Sequence, residues 1–157
     1  MVEQQTYRDI CGQFATGVTV VTGRLDDGSP IGVTVNSFSS VSLDPPLVLF
    51  SLDKKALSFD AFSMTKNFAF NILSEDQKGY SNNFATQSPN KFDGIDHRES
   101  TNGVPLLKGC LGVIECRMHA VHEGGDHQII VGEVIKITSG ECDKPLIFYK
   151  GAYRSLK

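Results

Sequence analysis

Glu123-Gly124-Gly125-Asp126 separates two long runs, Leu111 to Val121 and His127 to Thr138. Two adjacent glycines and an aspartate supply the unusual backbone angles of a tight turn, so the runs are predicted to fold back as an antiparallel hairpin. This commits the last third of the chain to β structure, and the earlier segments continue the theme. Val18 to Leu25 is rich in Val and Thr and reads as a strand. Asp26-Asp27-Gly28-Ser29 is turn chemistry, which returns Ile31 to Phe38 as a second arm. Asp44-Pro45-Pro46 ends that unit. Leu47 to Leu52, Phe68 to Leu73 and Leu146 to Tyr149 are further strands.

Helical signals are short and sit between these strands. Tyr7, Ile10, Cys11 and Phe14 follow a helical spacing, with Thr6 as the expected cap and Gly17 as the expected stop. Ala56 to Met64 reads as a second short helix. Ser74 with Gln77 three residues later is a capping box that opens a third, carrying Tyr80 and Phe84. Gln87 to Val104 is the longest loop, and loops of that length are often functional. The expected fold is mainly β, a barrel decorated by a few short helices. A chain of 157 residues with no repeat, low-complexity tract or linker is expected to form one domain, residues 1–157.

Charge and composition narrow the function classes. A formal net charge of -3 without a basic stretch argues against nucleic-acid binding. Apolar runs such as Leu47 to Phe50 fall far short of the ~20 residues that span a bilayer, so no membrane partner is expected. Met-Val-Glu-Gln-Gln does not resemble a signal segment, and Cys11, Cys110, Cys116 and Cys142 are irregularly spaced. Reduced thiols in the cytoplasm are the expectation. There is no GxGxxG after a strand, no Walker loop, no GxSxG and no HExxH. Cys116, His119, His122 and His127 fall close together, but odd spacings on a strand split them between faces, so no metal is expected.

Four segments carry chemistry. Thr34 to Ser42 is a strand running into a hydroxyl-rich turn, where Thr34, Asn36 and Ser40 alternate with Val35, Ser37 and Val41. Those polar groups suit the donors and acceptors of a heterocycle edge; the same pattern also suits a half-exposed strand. Ser51 to Ser58 leads from a strand end into a helix start, with Ser51, Lys55 and Ser58 as donors for a phosphate, or simply as an ordinary cap. Gly124-Gly125-Asp126-His127 places a histidine directly after a tight turn, in a site or on the bare surface. Tyr149-Lys150-Gly151-Ala152-Tyr153-Arg154 sets two aromatics around a glycine, to stack on rings or to close the barrel.

In order and spacing the chain resembles the short-chain flavin reductases, the reductase components of two-component flavin monooxygenases. The resemblance rests on Phe14-Ala15-Thr16-Gly17-Val18-Thr19-Val20-Val21-Thr22, on Thr34 to Ser42 with Leu43-Asp44-Pro45-Pro46-Leu47-Val48, and on Phe68-Ala69-Phe70-Asn71-Ile72-Leu73. Asn83-Phe84-Ala85, Gly125-Asp126-His127 with Gly132-Glu133-Val134, and Tyr149-Lys150-Gly151-Ala152-Tyr153 complete it.

The resemblance implies a split β-barrel of the FMN-binding, Greek-key type, usually a homodimer. It implies FMN or FAD, NADH or NADPH as donor, hydride transfer to the flavin, and a partner monooxygenase served by diffusing reduced flavin. It implies flavin contacts at Thr34, Val35, Asn36, Ser37, Ser51, Leu52, Lys55, Ser58, Phe84 and Ala85. Nicotinamide contacts are implied at Ser40, Val41, Gly125, Asp126, His127, Tyr149, Gly151 and Tyr153, with His127 positioning the ring. The alternative is a flavin-binding electron carrier, like a flavoredoxin, without a nicotinamide site.

Overall fold

In the computed structural model, which describes residues 1–156, the chain begins with helix α1 (Gln4–Cys11). Its cap is Glu3, whose carboxylate accepts from the amides of Gln5 at 2.9 Å and Thr6 at 2.6 Å. Thr6 therefore sits inside the first turn rather than before it, and the helix stops at Gly12, well short of Gly17. No residue of α1 is buried, so Tyr7 and Ile10 stand exposed on its surface.

The strands follow as β1 (Thr16–Gly17), β2 (Thr19–Arg24), β3 (Pro30–Val35), β4 (Ser39–Leu43) and β5 (Pro46–Asp53). Helix α2 (Phe59–Met64) and β6 (Asn67–Ile72) come next, then a 3-10 turn over Glu75–Gln77 and helix α3 (Lys78–Phe84). The predicted capping box between Ser74 and Gln77 is present and starts this turn. Short β7 (His97–Glu99) lies within the long loop and β8 (Pro105–Leu107) directly follows it. The two long runs around the Gly-Gly-Asp turn pair as β9 (Gly112–Gly124) and β10 (His127–Ser139). Strands β11 (Ile147–Tyr149) and β12 (Ala152–Arg154) end the chain and form a small sheet with β1.

Seven strands make one antiparallel sheet in the order β3-β2-β6-β9-β10-β5-β4. The sheet curls until its ends share one core. Val33 and Val35 from β3 bury against Val48, Phe50 and Leu52 from β5, although no ladder joins those strands. Phe50 is the hub, with edge-to-face contacts to Phe62, Phe68 and Phe70 at centroid distances of 6.0, 5.8 and 5.5 Å. The result is a mainly β, split barrel.

The outer face of β2 and β6 carries a second core. Val18, Val20, Ala69 and Leu73 are covered by Phe84 of α3, by Leu106 and Leu107, and by Leu146. Asn71 fastens this layer: its amide donates to the Val20 carbonyl at 2.9 Å and the Thr22 hydroxyl at 3.0 Å. Its carbonyl oxygen accepts from the Leu107 amide at 2.8 Å. A buried amide with every group paired fixes β8 across the sheet.

Several boundaries depart from the sequence reading. β4 forms where a hydroxyl-rich turn was expected, because the segment pairs back on β5 after Asp44-Pro45. α2 starts at Phe59 rather than Ala56, since the Ala56 amide closes a turn on the Asp53 carbonyl at 3.0 Å.

Candidate functional site

One edge of β3 pairs with β2, and among the described residues the other is free of any strand. Along that free edge runs a groove of three adjoining cavities, each lined by β3 residues.

The middle of the groove lies where β3 runs out. Thr34, Val35 and Asn36 line two cavities at once, one of about 200 Å³ and one of about 230 Å³. The Thr34 hydroxyl donates to the Ser81 carbonyl at 2.7 Å and so holds α3 beside the groove. Asn36 is exposed and open to a ligand, while Val35 turns its side chain into the core. Ser37 and Ser51 line the larger cavity together, and the Ser37 hydroxyl is bonded to the Ser51 backbone. Leu52 lines it too, but its buried side chain leaves only main chain to offer.

Beyond Gly32 the groove opens into a cavity of about 260 Å³ lined by Leu57, Ser58, Lys91 and Phe92. The Ser58 hydroxyl is buried and has no hydrogen-bond partner among the described residues. Lys91 is only 8% exposed and has no carboxylate partner among the described residues. Its ammonium donates to the carbonyls of Gly32 at 3.1 Å and Phe84 at 3.0 Å, and burial pushes its pKa below the ordinary lysine value. An orphan hydroxyl and a buried cation without a counter-charge fit an anionic, acceptor-rich group such as a phosphate. Lys91 escaped the sequence reading; the length of the loop that carries it was the sole hint.

The β9–β10 turn supplies the other wall. His127 lines the same cavity as Ser37 and Ser51. Its Nδ1 lies 2.7 Å from the Asp126 carboxylate, and this bond holds the Asp126 carboxyl below the usual carboxylate range. An ionised carboxylate only accepts, so Nδ1 carries the proton and Nε2 is left for a ligand. Lys54 anchors the turn to the end of β5: its amide donates to the Asp126 carbonyl at 3.0 Å and its ammonium reaches the Gly125 carbonyl at 2.9 Å and Glu123 at 2.5 Å.

Tyr153 closes the smaller cavity. Its hydroxyl sits 2.7 Å from the Ser81 hydroxyl and donates to the Asn82 side chain at 3.0 Å. Other expected contacts lie elsewhere. Phe84 is fully buried, its ring lodged over Gly32 and 5.0 Å from the Phe92 centroid, so of the pair Phe84-Ala85 only Ala85 lines the groove. Ser40 and Val41 stand exposed on β4, the far edge strand, and line none of the three cavities. Lys55 is exposed with its amide on the Asp53 carboxylate. Tyr149 lies under the Lys150 ammonium, and Gly151 faces α1.

Comparison with known proteins agrees with this architecture. The family model for a flavin reductase like domain matches residues 11–157. The chain is 48% identical to the FMN reductase (NADH) SmoA of Agrobacterium fabrum, over 95% of this chain and 84% of that protein. It is 40% identical to the reductase subunit HsaB of a flavin-dependent monooxygenase from Rhodococcus jostii, over 99% of this chain and 80% of that protein. Among solved structures, the NADH:FAD oxidoreductase SgcE6 of Streptomyces globisporus, in complex with NAD and FAD fragments, superposes with a TM-score of 0.93. It is 37% identical, covering 99% of this chain and 93% of that one. A barrel split along β3, a groove on that free edge and a family match over nearly all of its length show that the chain belongs to the flavin reductase like family.

Proposed function

We propose that this protein is a flavin reductase that uses a reduced nicotinamide to reduce FMN or FAD and serves a partner monooxygenase. The observation that carries the reading is the convergence on the β3 edge of the Ser58–Lys91 pocket and the Asp126–His127 turn. Bound flavin supplies the two-electron acceptor and the nicotinamide the donor. The residues of this chain do the positioning. The edge from Thr34 to Ser37, with Ser51 and the Leu52 backbone, lines the flavin ring. Ser58 and Lys91 hold its phosphate, and Ala85 bounds the other side. His127, oriented by Asp126, and Tyr153, oriented by Ser81, place the nicotinamide against the ring. Such a transfer gains chiefly from alignment and exclusion of water, which fits a groove without a pair of acidic side chains.

The test is oxidation of NADH and NADPH by purified protein with FMN, FAD or riboflavin, followed by absorbance. Oxidation well above the flavin-only control is expected. Flavin binding without such oxidation would leave the electron-carrier reading in its place.

The site sits in one domain, and we read the working unit as a homodimer. Support comes from apolar surface that one chain leaves uncovered: Tyr7 and Ile10 on α1, Phe14 beyond it, and Ile135 and Ile137 on the long hairpin. Sedimentation equilibrium at micromolar concentration tests this, with a monomer of full activity as the contrary result. All four cysteines are free, which supports a reducing, cytoplasmic setting. No helix is long and apolar enough to cross a membrane among the described residues.

A further inference from the structure

Cys110 and Cys142 line one cavity of about 270 Å³ that shares no residue with the groove. Cys110 is 5% exposed and lies between β8 and β9; Cys142 is exposed in the connection from β10 to β11. The two segments are in direct contact. The Gly140 amide donates to the Leu111 carbonyl at 2.8 Å, and a Cβ on Gly140 would lie 1.8 Å from the Cys110 carbonyl oxygen. Only glycine permits that approach. Cys142 is two residues on from Gly140, which keeps its Cα within ~7 Å of the contact.

Both segments are also tied to the barrel. The Leu111 amide donates to the Ile72 carbonyl at 2.8 Å, and the Glu75 amide donates to the Lys144 carbonyl at 2.9 Å. Both segments are thus held beside each other at the wall of that cavity.

We propose that Cys110 and Cys142 are a redox pair that closes into a reversible intramolecular disulfide when the protein meets hydrogen peroxide. Peroxide arises wherever reduced flavin meets dioxygen, so it is the oxidant that a flavin reductase encounters; the bond itself does not rest on that activity. The exposed thiol reacts first. Burial pushes the Cys110 thiol up to about 11, whereas Cys142 is the partner open to solvent.

The Cys142 thiolate attacks one peroxide oxygen, breaks the O–O bond and expels hydroxide, becoming a sulfenic acid. The Cys110 thiol then loses its proton as its sulfur attacks the Cys142 sulfur. The S–S bond forms, the S–O bond breaks, and hydroxide leaves to be protonated as water. Two thiols are oxidised by two electrons in all, and one peroxide is reduced to two waters.

The experiment uses the full chain carrying Cys11→Ser, which removes the other exposed thiol. The protein is treated with hydrogen peroxide, quenched by alkylation in denaturant, and analysed by thiol count and peptide mass mapping. The expected result is a fall from three alkylatable thiols to one, a Cys110–Cys142 linked peptide, and full recovery with dithiothreitol. In the same background Cys142→Ser, a surface change that leaves the core intact, should keep both remaining thiols. Oxidised protein in which Cys110 stays alkylatable would overturn the proposal, whether Cys142 is then found as a sulfinic acid or in a bond between two chains.

Discussion

The Ser37 hydroxyl donates to the Ser51 carbonyl at 3.0 Å and accepts from the Ser51 amide at 3.0 Å. One side chain thus reproduces the two-way exchange of a hydrogen-bonded pair in an antiparallel ladder. It bridges the seam where the barrel would otherwise be open between β3 and β5. Ser37→Ala leaves both Ser51 groups without that partner. We expect a loss of about 1–3 kcal/mol in urea unfolding and weaker flavin binding by fluorescence titration. Unchanged stability would mean that the core alone holds the seam.

Gly32→Ala should be severe for its size. The added Cβ would stand 2.6 Å from two carbons of the Phe84 ring. Displacing a fully buried ring typically costs about 1–3 kcal/mol, which thermal unfolding would register. Because Lys91 is bonded to both the Gly32 and Phe84 carbonyls, flavin affinity should fall with stability.

Lys91→Met separates the phosphate from the ring. If Lys91 meets the phosphate, FMN affinity should fall by about ten-fold or more while riboflavin affinity changes little. Equal losses for the two ligands would place Lys91 outside the phosphate pocket.

His127→Ala removes a positioning group. Apparent KM for NADH should rise, kcat should change less, and flavin affinity should stay constant, for an overall loss of roughly ten- to hundred-fold in kcat/KM. Asp126→Asn should repeat part of this effect, since it unsettles the Nδ1 bond that orients the ring. Wild-type nicotinamide kinetics in His127→Ala would shift the donor site toward Tyr153.

Alkaline pH should expose the buried thiols. Burial raises Cys116 from 9.0 to about 12 in the folded chain, so the fold favours the protonated form. That contribution is complete below pH 9 and is lost as pH climbs toward 12. Urea midpoints should fall across this range. Cys116→Ala should be less stable at neutral pH yet lose less on the alkaline side.

What the sequence made legible followed from local chemistry. The β9–β10 hairpin announced itself because Gly124-Gly125-Asp126 demands a turn whatever surrounds it, and Ser74 with Gln77 specified a cap within one turn of chain. β4 gave no such sign: four of its five residues are exposed, so no alternation marks it. Lys91 was hidden for the opposite reason. Its burial depends on carbonyls from β3 and α3, which only the finished fold brings together. The family resemblance puts Phe84 beside the flavin, whereas the missing side chain at Gly32 leaves room for its ring in the core.

Lys91 also bears on solubility. The edge of β3 away from β2 pairs with no strand among the described residues, and an unpaired edge is the usual route to edge-to-edge association. The Lys91 ammonium occupies the Gly32 carbonyl in the middle of that edge and sets a positive charge there. A chain stripped of this lysine would keep its barrel yet present an unguarded strand. Its tendency to self-associate should therefore grow with concentration, and any ligand seated in the groove should suppress it by covering the same backbone.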